Sequence, residues 1–117
     1  MPDLKLQHCI EECSNCQETC LETMVHCLAL GGRHAEAQQI RVLLDCAEAC
    51  QTAANFMLRG SDLYVLFCEP CALVCDACAR SCEALAADDQ QMNRCAESCR
   101  RCAHACREMA SASQKAA

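Results

Sequence analysis

The chain has 117 residues, 53% of them hydrophobic but only 3% aromatic, a formal charge of −6, and 16 cysteines. This suits one domain, 1–117, with a real core, and the low count of glycine (3) and proline (2) excludes a disordered or low-complexity chain. No apolar run approaches the roughly 18–20 residues of a membrane span, the start Met1-Pro2-Asp3-Leu4-Lys5 does not read as an export signal, and the acidic balance argues against nucleic acid.

Four segments of about 25 residues follow, each long enough for a helix of about 36–40 Å. The first, 3–30, carries Cys9, Cys13, Cys16, Cys20 and Cys27 and stops at Gly31-Gly32. The second, 34–59, has only Cys46 and Cys50, with Leu43, Ala53 and Met57 continuing the same stripe. Gly60 suits the position after its last turn, and Ser61 or Asp62 the cap of the next helix. The third, 62–87, carries Cys68, Cys71, Cys75, Cys78 and Cys82. Pro70 either kinks it or sits in the first turn of a helix beginning near Glu69. The fourth, 89–112, opens on a capping box of Asp88 and Gln91 and carries Cys95, Cys99, Cys102 and Cys106, flanked by Met92 and Met109.

Nearly every cysteine step within a segment is three or four residues, which is the inward seam of a helix in a bundle. Short connections between long helices predict an all-α, antiparallel, up-down-up-down four-helix bundle whose core is lined by thiols. This packing places Cys9, Met57, Cys106 and Met109 at one end. It places Cys27, Leu43, Leu85 and Met92 at the other, which reads as the more apolar, so that ions are expected to enter at the first. Because the second segment supplies only two thiols, the tube wall should be lopsided, with most ions held between segments 1, 3 and 4.

Sixteen thiols need a chemical reason, since leucine would fill a core better. Disulfides fit poorly: cysteines three or four apart on one helix have Cβ atoms about 5–6 Å apart, against the ~3.5–4.5 Å of a bridge. Bridges between helices are geometrically open but rare in a reducing compartment. Metal fits better. Soft thiolates select Cu(I), Zn(II) or iron–sulfur clusters. Zinc favours closed four-thiolate sites on turns, and iron–sulfur clusters favour pockets on loops. Cu(I) accepts two thiolates and thiolate bridging, which suits a continuous row. A zinc- or iron–sulfur-binding redox or buffer protein remains the alternative.

The pairs Cys9/Cys13, Cys16/Cys20, Cys46/Cys50, Cys71/Cys75, Cys78/Cys82, Cys95/Cys99 and Cys102/Cys106 on a four-helix pattern resemble the bacterial copper storage proteins, particularly their cytosolic branch. The resemblance covers essentially the whole chain. It implies a cytoplasmic store of many Cu(I) ions, a homotetramer, and a copper chaperone as donor. Beyond the cysteines, Met57, Met109, His8 and His26 are candidate ligands. His104 is expected in solvent, and His34, in a loop, is given no role. A second apolar stripe, Ile40, Leu44, Ala47, Leu66, Leu73 and Ala77, calls for cover such as an oligomer interface. No nucleophile with His and Asp partners, phosphate loop or H-E-x-x-H is present, and sixteen equivalent inward thiols make a poor thiol enzyme, so no enzyme activity is expected.

Overall fold

The computed structural model describes residues 3–116, with 112–116 as helical backbone alone; Met1 and Pro2 of the start read above lie outside the described residues. The helices are α1 (Leu4–Leu30), α2 (Ala37–Leu58), α3 (Val65–Ala86) and α4 (Gln90–Ala116), with short 3₁₀ turns at Gly32–Ala35 and Asp62–Tyr64.

Local chemistry explains the boundaries. The Asp3 carboxylate accepts from the backbone N–H groups of Lys5 and Leu6 at 3.0 and 3.1 Å, satisfying donors that a helix start otherwise leaves open. Gly31, at φ 72°, closes α1 by donating its N–H to the Cys27 carbonyl. That left-handed backbone favours glycine. Gly60, at φ 68°, ends α2 in the same manner, as expected, and the Ser61 hydroxyl accepts from Leu63 N–H at 3.1 Å.

α2 starts at Ala37 rather than 34 and α4 runs to Ala116 rather than 112, and the starts of α3 and α4 also differ from the sequence expectation. α3 begins at Val65, so Pro70 lies in its second turn rather than at the start of a helix near Glu69. Pro70 and Glu69 are exposed, so the hydrogen bond that proline cannot make is lost on the water-facing side. α4 is capped by Asp89 instead of Asp88: Asp89 Oδ1 accepts from Gln91 and Met92 N–H at 3.0 and 3.2 Å. Gln91 takes no part in a capping box, because its amide is drawn across to Thr23 Oγ1 on α1 at 2.9 Å.

Each helix packs on its chain neighbour and α1 also packs on α4, which closes a four-sided antiparallel bundle of 47 × 21 × 21 Å. All 16 cysteines are at most 1% exposed, as the seam pattern predicts. The remaining core is mainly alanine, with Leu43, Met57, Met92 and Met109 as larger side chains. At the surface α4 is tied to α3 by Arg100, which pairs with Asp76 and Glu83, and by Arg107–Asp76 at 2.6 Å. Arg101–Glu12 ties α4 to α1. Such exposed pairs contribute about 0–1 kcal/mol each and serve register more than stability. No described helix is long and apolar enough to cross a membrane.

Neutral thiols pack as small apolar groups, so reduced, metal-free protein is expected to be helical already, with far-ultraviolet circular dichroism as the check. Leu43→Ala should lower its unfolding free energy by about 2–5 kcal/mol in urea titration, because the side chain is fully buried.

Candidate metal centre

The seam spacing on each helix puts successive thiols one above another, and antiparallel neighbours interleave them. The result is a continuous column of sulfur. From one end it runs Cys9–Cys106 (3.8 Å), Cys106–Cys13 (3.7 Å), Cys13–Cys102 (3.6 Å), Cys102–Cys50 (3.6 Å) and Cys50–Cys75 (3.6 Å). It continues through Cys75–Cys46 (3.7 Å), Cys46–Cys16 (3.8 Å), Cys16–Cys99 (3.7 Å), Cys99–Cys20 (4.0 Å) and Cys20–Cys95 (3.9 Å). Every one of these steps crosses between helices. With metal–sulfur bonds of roughly 2.3 Å, two sulfurs on one ion lie roughly 3.7–4.6 Å apart, from tetrahedral to linear geometry. The thiols therefore stand close to bridging distance before any ion arrives.

Among the described residues, five quartets have all their Sγ atoms within 4.8 Å of one another: Cys13/71/102/106, Cys50/71/75/102, Cys16/46/50/75, Cys16/20/46/99 and Cys20/78/95/99. Overlapping membership makes them one extended donor array. Cys46 and Cys50 between them enter three of the five, so the lopsided tube expected from the sequence is not what forms. The physical reason is position. These two thiols sit near the middle of α2, where a side chain faces donors from the other three helices.

Cys9, Cys27, Cys68 and Cys82 stand outside the quartets. Cys68 Sγ donates to the Tyr64 carbonyl at 3.4 Å, and Cys82 Sγ accepts from Gln39 Nε2 at 3.7 Å. Cys27 Sγ donates to Met92 Sδ at 3.5 Å.

Burial controls the protons. It pushes the Cys68 thiol up to about 12, with the nearby Cys13 and Cys71 thiols adding to the effect, and it likewise raises Cys27. The hydrogen bond from Cys9 to Cys106, followed by burial, raises Cys9 despite an opposing bond with Cys13. Thiol–thiol hydrogen bonds raise Cys20, Cys50, Cys99 and Cys102, while bonds of the same kind lower Cys16, Cys71 and Cys95. Protons are thus shared along the column, and a wholly ionised empty core would carry uncompensated buried charge.

The other candidates divide by end. His8 is exposed beside buried Cys9, and Met57 and Met109 are buried at that end without a thiol contact among the described hydrogen bonds. His104 points to solvent and pairs with Glu108 at 2.7 Å. At the opposite end His26 Nε2 bonds Asp89 Oδ2 at 2.8 Å, and His34 Nε2 lies 3.6 Å from the same oxygen, buried and without a hydrogen-bond partner. Burial opposes ionisation of Asp89, but the His26 bond and the N–H groups of Met92 and Gln91 outweigh it and hold the carboxyl below its usual range. With Thr23, Gln39 and Gln91 also at this end, it is polar, where Leu43 and Leu85 led to the expectation of the more apolar end. His34 and Asp89 were missed because loop and cap residues follow no seam period. Met92 was legible as a seam residue, but its contact with Cys27 was not.

A thiol raised above 9.0 keeps its proton longer in the folded than in the unfolded state. Its contribution to stability is therefore present below about pH 9 and lost as pH rises through the window from 9.0 toward about 12 shown by Cys68. The melting temperature of reduced, metal-free protein should fall steeply above about pH 9, read by circular dichroism, while a Cys68→Ala variant should show a shallower fall.

The family model for copper storage proteins matches residues 3–111. A crystal structure of a Nitrosospira multiformis protein is 47% identical, covering 94% of this chain and 98% of that one, with a TM-score of 0.86. A Cu(I)-bound copper storage protein from Bacillus subtilis is 32% identical over 91% of this chain and 98% of its own, with a TM-score of 0.83. A cytosolic copper storage protein from Streptomyces lividans, captured during copper loading with five coppers, is 30% identical over 92% of each chain, with a TM-score of 0.80. No curated protein matches the sequence.

Proposed function

The chain belongs to the copper storage protein family, and from that premise we propose that it sequesters many Cu(I) ions along its internal column of thiolates. It is a storage protein and not an enzyme. The observation that carries this is the set of overlapping thiol quartets at bridging distance inside the buried core of the bundle. Copper is the cargo. Soft thiolates favour Cu(I), and a row of shared donors suits an ion that accepts two or three sulfurs and bridges readily. The Cu(I)-bound relative from B. subtilis supports the choice of Cu(I) over the zinc and iron–sulfur alternatives.

The ligands we assign are all 16 cysteines, acting within one bundle domain spanning 1–117. Entry of copper is proposed at the end carrying Cys9 and Cys106. There exposed His8 is the first candidate ligand, with Met57 and Met109 as thioethers farther in. A cytoplasmic location is supported by the S. lividans relative, which is cytosolic. A copper chaperone as donor and a homotetramer complete the reading. The tetramer would cover Leu44, Leu66 and Leu73, which are 44%, 62% and 57% exposed on α2 and α3.

Anaerobic titration of reduced protein with Cu(I) against a competing chelator tests the function. Independent pairs would hold about 8 ions and bridged thiolates about 16 or more; saturation at one or two ions per chain would sink the storage reading. Each ion bound to a neutral thiol displaces a proton, so affinity should fall as pH falls, with proton release measured by a pH indicator. Changing Cys46 and Cys50 together to Ser should remove a larger share of capacity than their share of the thiols, because they bridge three quartets. A merely proportional loss would show that each thiol acts alone.

A further inference from the structure

The sulfur column changes character toward the end where α1 finishes and α4 begins. On α1 the row of thiols stops at Cys20, and Thr23 takes the next seam position. Thr23 carries no sulfur, and its hydroxyl is committed: it donates to the Thr19 carbonyl at 2.7 Å and accepts from Gln91. One turn farther on comes Cys27, fully buried and outside every quartet. Its sulfur partner is a thioether. Met92, also fully buried, holds its Sδ 3.5 Å from Cys27 Sγ, and the thiol proton points at it. Cys82 shares this end but is held by the Gln39 amide.

We propose that Cys27 and Met92 form a separate Cu(I) site, a thiolate–thioether pair set off from the thiolate array by Thr23. This rests on the storage reading and refines it. Both sulfurs are soft donors, which selects Cu(I) over hard cations. Charge supports the pairing. One thiolate and one neutral thioether around Cu(I) make a neutral unit, whereas two thiolates leave a negative one that is costly to bury without a partner. On binding, the Cys27 S–H bond breaks, the sulfur bonds the ion, and the proton passes to solvent; copper keeps its oxidation state. The bonded pair His26–Asp89, whose side chains are 32% and 20% exposed, neighbours the site in the chain: Asp89 stands three residues before Met92 and accepts from its N–H, and His26 is next to Cys27. A thioether binds more weakly than a bridging thiolate, so this ion is the last to load and the first to leave, and it leaves by the end opposite to the proposed entry.

Methyl-¹³C-methionine labelling of the full-length protein reads this without disturbing the core. During anaerobic Cu(I) titration the Met92 methyl resonance, assigned by its loss in Met92→Leu, should shift in the final equivalents, while Met57 and Met109 respond at other stages. In a chelator chase, wild-type protein should surrender about one ion per chain in a fast phase that Met92→Leu lacks, Leu being close in volume and unable to ligate. A Met92 methyl that stays fixed to saturation, or a fast phase unchanged in Met92→Leu, overturns the proposal. A wild-type chain that fails to take up many ions at all would instead overturn the storage reading, since total capacity is measured in the same titration.

Discussion

The organising constraint of this protein is the burial of sixteen ionisable sulfurs on the inward stripes of its helices, with no cationic side chain buried beside them among the described residues. A core of this kind is acceptable only while its thiols keep most of their protons or exchange them for metal. Raised Cys68 and Cys27 thiols express the first condition. The proton therefore acts as the resident counter-ion of the empty protein. Where one Cu(I) displaces one proton, uptake replaces one positive charge by another and leaves the charge of the interior unchanged.

The helical bundle solves the geometric half of the problem. Straight helices repeat their seam every three or four residues, and four of them present donors to a common axis from four directions. Zinc, which requires a closed tetrahedron, would use such a scaffold wastefully. An ion that tolerates low coordination and shared ligands can use every position. Alanine at flanking sites such as Ala72, Ala79, Ala96 and Ala103 leaves the sulfur as the bulkiest inward group over most of the length. The stability this forgoes in aliphatic packing is partly recovered where larger groups meet, at Leu43 and at the stacked Phe56–Phe67 pair, whose ring centroids lie 4.2 Å apart.

The two ends are not equivalent. One is thiol-rich and carries exposed His8; the other is crossed by a network that joins α1 to α4 through His26–Asp89 and Gln91–Thr23. Asp89 serves twice, with one oxygen capping α4 and the other bonding His26. A single loop residue thereby couples the start of a helix to the closure of the column, and this makes the end polar where the seam alone reads as apolar.

Much of this was legible in the sequence. The cysteine period on each segment specifies which face of each helix is inward, because a helix repeats every 3.6 residues whatever surrounds it. The count of thiols then dictates the class of chemistry, and the glycines at 31 and 60 mark two of the helix ends. What periodicity cannot convey is which turn of one helix meets which turn of another. That register made Cys46 and Cys50 central rather than marginal and set Met92 against Cys27. It also brought Asp89, His26 and His34 together from separate elements. Each of these depends on side chains distant in sequence arriving at the same height along the bundle axis, and only the packed helices decide that height.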